Sequence, residues 1–248
     1  MMIGVDGCKA GWLAVFWQEN KAPINGPLKG PIKDPVVEAK IFPHFAEILA
    51  LNFTHLAVDM PIGFPETSEP GGRLCDRLAR QYLGARQSSL FAVPSRAAIM
   101  APDYRAACAA NLKNSNPPRK ISKQIFYLFP KMRELDGLLT PALQKQISEV
   151  HPELAFTRMN DERPLDLPKK IKGRPYSEGL NLRRSLLTKA GFPIAQLAPP
   201  EGKSFGEDDL LDAAACAWSA ARLAQGQALQ LPPNPPSDQL GLKMQISA

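Results

Sequence analysis

The stretch Met2-Ile3-Gly4-Val5-Asp6-Gly7-Cys8-Lys9-Ala10-Gly11-Trp12-Leu13-Ala14-Val15-Phe16-Trp17 decides the fold. Two apolar, β-prone runs, 2–5 and 12–17, flank a short polar segment, which predicts an antiparallel hairpin. Within it Asp6 follows the first run directly, in a Gly4-Val5-Asp6-Gly7 setting. An Asp-Gly pair here can simply make the turn, or it can hold a carboxylate at the end of a strand. Further along, the apolar run at 54–59 has the composition of a strand buried on both faces, and it stops at Asp59 before Pro61 and Gly63. Asp59 can cap the following loop, yet a charge at the end of a buried strand asks for a stronger reason. Asp6 and Asp59 thus share one expected position.

Working outward, a Pro/Gly-rich connection over 22–35 leads to a third strand over 36–42 and a short helix over 45–51. The middle of the chain is helical by periodicity, over 73–83, 104–112 and 121–139, with breaks at Pro117, Pro118 and Pro130. A short strand over 147–150 presents Glu149. The segment 169–184 gathers Lys169, Lys170, Lys172, Arg174, Arg183 and Arg184 in a Gly- and Pro-containing loop that leads into a helix. Such a run is either a solvated loop or a nucleic-acid contact. The last helix spans 207–225. The expected architecture is α/β: a mixed five-stranded sheet flanked by helices, one domain over 1–230 with a helical insertion at about 70–145, and a Pro-rich, flexible tail over 231–248.

Composition bounds the function. Of 248 residues, 44% are hydrophobic and 22% charged, enough apolar material for a large core. No apolar run reaches the roughly 18 residues of a membrane span, and Asp6 sits where a signal peptide would be apolar, so no membrane association and a cytoplasmic location are expected. Cys8, Cys75, Cys108 and Cys216 form no CxxC pair and lie in core-like segments, which argues for reduced, buried thiols. Thirty Lys+Arg against 24 Asp+Glu give a net charge of +6, a mild bias toward a polyanionic partner. The 25 prolines are about twice the usual share of roughly 5% and mark many rigid loops. Oligomeric state is not legible, and a homodimer stays open.

The last helix opens with Glu207, Asp208, Asp209 and Asp212. Dipole compensation and capping explain the first three. They explain Asp212 poorly, because it lies past the first turn and precedes Ala213-Ala214-Ala215-Cys216-Ala217, a small-residue run suited to close packing on a sheet. Spacings of three and four place Asp209 and Asp208 on its side. Two or three carboxylates from distant segments suit Mg²⁺ or Mn²⁺, hard cations that take oxygen ligands and keep several waters.

These residues, with Ala57-Val58-Asp59-Met60-Pro61-Ile62-Gly63, Arg73, Cys75-Asp76, Arg80, Phe91-Ala92-Val93-Pro94-Ser95-Arg96, Glu149-Val150-His151-Pro152-Glu153 and Asp208-Asp209-Leu210-Leu211-Asp212-Ala213, make a pattern that resembles the DUF429 family of predicted RNase H-like nucleases. The resemblance runs from residue 4 to about 218. It implies an RNase H-like fold, with catalytic and metal-holding acids at Asp6, Asp59, Asp209 and Asp212, as in Holliday-junction resolvases. Glu149 is then a further ligand or, with Glu153 and Asp208, a member of a supporting polar network, the latter being favoured for Glu149. His151 either bonds loop backbone or moves protons. Lys9, Arg73, Arg96, Lys172 and Arg174 are candidate substrate-phosphate contacts, whereas Arg80 could pair with Asp76 four residues earlier.

The implied activity is metal-dependent hydrolysis of nucleic acid, DNA or RNA being undetermined. One alternative is an ATP-using phosphotransferase of the actin-like or sugar-kinase type. Against it, no second Gly-rich phosphate loop is present and the chain is short for two lobes. The other is a non-catalytic nucleic-acid-binding module, which would not need Asp6, Asp59 and Asp212 to meet.

Overall fold

The computed structural model describes residues 1–18, 36–202 and 204–248; the connection expected over 22–35 lies outside them. Strand β1 (Met2–Cys8) pairs antiparallel with β2 (Gly11–Gln18), with Cys8 opposite Gly11. The turn therefore falls at Lys9 and Ala10, beyond Asp6. Strand β3 (Val36–Phe42) pairs antiparallel with β2, and after α1 (Phe45–Leu49) strand β4 (His55–Val58) lies parallel to β1. Five helices follow: α2 (Leu74–Gln81), α3 (Arg96–Ile99), α4 (Tyr104–Lys113), α5 (Lys123–Phe126) and α6 (Phe129–Leu138). Pro130 stands in the first turn of α6, where its missing N–H costs nothing, so it starts that helix. Strand β5 (Ile147–Val150) adds parallel to β4, and α7 (Pro152–Met159) follows at once. A small hairpin, β6 (Lys170–Ile171) and β7 (Arg174–Pro175), precedes α8 (Ser177–Lys189) and α9 (Glu207–Ala224).

The chain ends in β8 (Gln230–Leu231) and β9 (Ile246–Ser247), which complete a mixed sheet in the order β3-β2-β1-β4-β5-β9-β8. Among the described residues the sheet thus has seven strands where five are expected. Two-residue strands are too short to show alternation, so they are silent in the sequence. The tail over 231–248 correspondingly departs from a flexible extension. β9 pairs parallel with β5, Leu242, Ile246 and Ala248 are fully buried, and Asp238 accepts a hydrogen bond from the Arg96 guanidinium at 2.6 Å. Its prolines suppress regular structure without preventing burial.

Helices cover both faces of the sheet. On one, Ile3, Val5, Trp12 and Val58 pack with α1 and α3–α6; on the other, Leu13 and Val15 pack with α2, α7, α8 and α9. Trp12, Val15, Val58, Ala214 and Trp218 are all in the core, as their apolar stripes require. The four cysteines are free and buried. Among the described residues no helix is long and apolar enough to cross a membrane.

Gly4 governs the approach of α9. A Cβ at Gly4 would lie 2.0 Å from the Ala213 carbonyl oxygen and from the Ala217 nitrogen, so only glycine lets the Ala-rich face of α9 lie directly on β1. Strand alternation puts Asp6 on the same face as Gly4, and Asp212 immediately precedes Ala213. The close helix–strand contact is what brings the two acids together.

Candidate metal centre

Asp59 stands one residue past β4, and its N–H donates to the Val5 carbonyl at 2.9 Å, continuing the ladder beside Asp6. One carboxylate oxygen from each of Asp6, Asp59 and Asp212 lies within 4.8 Å of the others. Asp6 and Asp212 are buried and Asp59 partly so. Asp6 also accepts from the Gly7 N–H at 2.7 Å. Burial, with Asp59 and Asp212 close by, raises the Asp6 carboxyl well above the usual carboxylate range. Burial and Asp212 likewise push Asp59 up to about 8. Such an array lacks positive charge.

The chain supplies part of it from the segment entering β6. Lys169 Nζ donates to Asp212 Oδ2, and Lys170 Nζ pairs with Asp208 Oδ2 at 2.6 Å. Although burial works against it, the Lys169 ammonium is held above its ordinary pKa by Asp212 and Asp6. Even so, Asp212 Oδ1 and Asp208 Oδ1 are buried with no hydrogen-bond partner among the described residues. Unsatisfied carboxylate oxygens beside two more acids are an all-oxygen donor set, which fits Mg²⁺ or Mn²⁺.

Asp209 does not join the three. Its Oδ2 accepts from the Gly206 N–H at 2.8 Å and so caps α9. Asp208 and Asp209 share a side of the helix with Asp212 by spacing, but the capping bond turns Asp209 to the helix end.

Two buried arginine networks replace the substrate contacts expected at Arg73 and Arg96. Arg73 binds Asp76 at 2.7 Å and Glu149 at 2.5 Å and donates to the Ile62 and Gly63 carbonyls. Glu149 also accepts from the Ile62 N–H at 2.7 Å, so it braces the loop after Asp59, the supporting role favoured above. Arg96 is held by Asp136 and Asp238 at 2.7 and 2.6 Å. Both guanidiniums are buried with their charge already engaged by carboxylates. Arg80 donates to the Gly71 and Leu90 carbonyls and leaves Asp76 to Arg73. Glu153 lies away from the acids, paired with the fully buried Arg183 at 2.6 Å.

The basic run is therefore divided. Lys169 and Lys170 neutralise acids, Arg183 is internal, and Arg184 pairs with Glu207 at 2.9 Å. Lys172, Arg174 and, at the β1–β2 turn, Lys9 are exposed. The roles of Lys169 and Lys170 had no signal in the sequence, since 43 positions separate Lys169 from Asp212.

A cavity of about 440 Å³ opens beside Asp6 and Asp59, with Lys169, Lys170, Asp208, Glu149 and His151 among its lining residues. His151 Nε2 is 3.5 Å from the Ser89 carbonyl, while its buried Nδ1 has no partner among the described residues. Burial lowers this imidazole to about 4, so it is neutral near pH 7.

Neither the curated proteins nor the solved structures include a match to this chain. The family model described as a protein of unknown function, DUF429, matches residues 4–237, and the chain belongs to that family.

Proposed function

We propose that this protein is a divalent-metal-dependent nuclease of RNase H-like fold, hydrolysing phosphodiester bonds of DNA or RNA. The observation that carries this reading is the convergence of Asp6, Asp59 and Asp212 from β1, the end of β4 and α9, with Asp212 Oδ1 buried and without a partner among the described residues. A non-catalytic binding module would have no need to crowd three carboxylates against their own repulsion. The RNase H-like part rests on the family resemblance, with which a mixed sheet carrying Asp6 on β1 and Asp59 just past the end of the adjacent β4 agrees.

Asp6, Asp59 and Asp212 would hold Mg²⁺ or Mn²⁺, with Asp208 next to them. When bound, such a cation polarises a phosphoryl oxygen and lowers the pKa of a water. The chain's own groups do the rest. Lys169 and Lys170 stand ready to neutralise a phosphate once their acids are otherwise engaged. Glu149, fixed by Arg73, keeps the loop after Asp59 in place, and His151, neutral near pH 7, stands among the residues lining the cavity. Lys172 and Arg174 give the hairpin an exposed positive face for the strand backbone.

The test is to compare wild type with Asp6→Asn, measuring melting temperature with and without Mn²⁺ and cleavage of single-stranded, duplex and branched nucleic acid. Asn preserves size but removes the charge that holds a hard cation. Loss of both cleavage and the Mn²⁺-induced rise in Tm, with the fold retained, is expected. Equal activity in both proteins, or a Mn²⁺ effect that survives the substitution, removes Asp6 from the mechanism. ATP hydrolysis without nuclease activity would favour the phosphotransferase.

A further inference from the structure

The cavity beside the acids has two unlike kinds of lining. Asp6, Asp59, Arg73, Lys169 and Lys170 bring charge to it, whereas Met60, Pro61, Leu90, Phe91, Leu128 and Pro152 bring apolar surface. A phosphodiester backbone has no use for an apolar wall, and a flat duplex surface cannot enter a recess. Its volume, about 440 Å³, suits one small ligand. Two polar residues interrupt the apolar lining: exposed Gln124, whose amide offers both a donor and an acceptor, and His151, whose buried Nδ1 has no partner among the described residues. A recess that combines apolar side chains, a phenyl ring and a few hydrogen-bonding groups with cations and carboxylates matches a heteroaromatic base joined to a phosphate.

We propose that this cavity takes a single unstacked nucleotide, its base against Phe91 and Leu128 and its phosphate toward the acids, so that single-stranded or frayed nucleic acid is the substrate. The assignment rests on the nuclease reading for the direction of the phosphate. A base enters such a slot only after leaving its stack, at a penalty that is least where it is already unpaired. Stacking on an aromatic side chain tolerates any base, so the pocket selects strand state over sequence.

Equilibrium binding can be measured by fluorescence anisotropy on the full-length Asp6→Asn protein, which the nuclease reading expects to bind without cutting. The probes are a labelled single strand, the same sequence as a duplex, and a nucleoside monophosphate as competitor. The single strand should bind at least tenfold tighter than the duplex. Phe91→Ala in that background should weaken it roughly 5- to 100-fold, the range for one lost base–aromatic contact, and Gln124→Ala, at an exposed position, should weaken it less. Competition by the monophosphate at concentrations comparable to the strand would support the same pocket while assigning it to free nucleotides. Equal affinity for duplex and single strand, or affinity indifferent to both substitutions, overturns the inference. The two readings fail separately. Wild-type protein that cuts duplex without preference retains the nuclease and loses the pocket, whereas a protein that cuts nothing yet shows Phe91-dependent strand binding does the reverse.

Discussion

Lys169 Nζ donates to Asp212 Oδ2 inside the group of acids formed with Asp6 and Asp59. An ammonium thus occupies part of the place that a divalent cation would need, and Lys170 repeats the arrangement one helical turn earlier at Asp208. The segment leading into the β6–β7 hairpin is fastened to α9 by charges whose partners are the candidate ligands themselves.

Lys169→Met tests this competition. The metal-free variant should lose about 1–3 kcal/mol, less than a fully buried pair because the lysine side chain is 33% exposed. Its Mn²⁺-induced rise in Tm should exceed that of wild type and saturate at lower Mn²⁺. Calorimetric melts across a Mn²⁺ titration would check it; an unchanged midpoint would show that lysine and metal do not share Asp212.

Asp59 makes metal-free stability depend on pH. Its carboxyl titrates near 8 in the folded protein against an ordinary value of 3.8, so between those values the folded state binds more protons than the unfolded state. Its contribution is complete below about pH 4 and is lost as pH rises through 8, at up to about 1.4 kcal/mol per pH unit. Urea melts in EDTA should show Asp59→Asn losing less stability than wild type over that window. Buried His55, lowered to about 4, acts in the opposite sense below pH 6.5, and the difference between the two proteins cancels it. Added Mn²⁺ should reverse the wild-type trend, because a metal competes with protons for the same oxygens.

The arginines separate by burial. Arg73→Met should destabilise the protein by roughly 3–5 kcal/mol, since it leaves Asp76 and Glu149 buried without their cation. Arg174→Ala, at an exposed position, should change stability by no more than about 0.5 kcal/mol. It should instead weaken nucleic-acid binding and lower the salt-dependence slope by about 1. Denaturant melts and binding at several salt concentrations would distinguish the two; a salt slope unaffected by Arg174→Ala would take the hairpin off the binding face.

Gly4→Ala should destabilise by about 1–3 kcal/mol or more, because the new methyl would fall 2.0 Å from the α9 backbone. It should also weaken Mn²⁺ binding, although it touches none of the three acids, by moving Asp212 away from Asp6. A variant that melts lower yet keeps the full Mn²⁺ effect would mean that the helix shifts without opening the acid group.

Local pattern determined a good deal here. The 2–17 stretch specifies a hairpin through two apolar, β-prone runs and the polar segment between them, and Asp59 is readable as a strand-end acid because a buried run stops there, whereas Asp6 lies inside β1, two residues before its end. The small residues after Asp212 announce a helix that must lie close to a sheet. All of these depend on neighbours a few positions away, where spacing translates directly into geometry. What only the tertiary structure decided is who answers each charge. Arg73 reaches Glu149 across 76 positions, Arg96 reaches Asp238 across 142, and Lys169 reaches Asp212 across 43. An arginine bound for the interior and one bound for a phosphate have the same side chain and similar flanks. They differ only in whether folding brings a carboxylate within reach, and that follows from sheet order and helix packing. The same holds for Asp209, drawn to the helix end by the Gly206 N–H, and for β8 and β9, whose two residues each are strands only because β5 offers an edge.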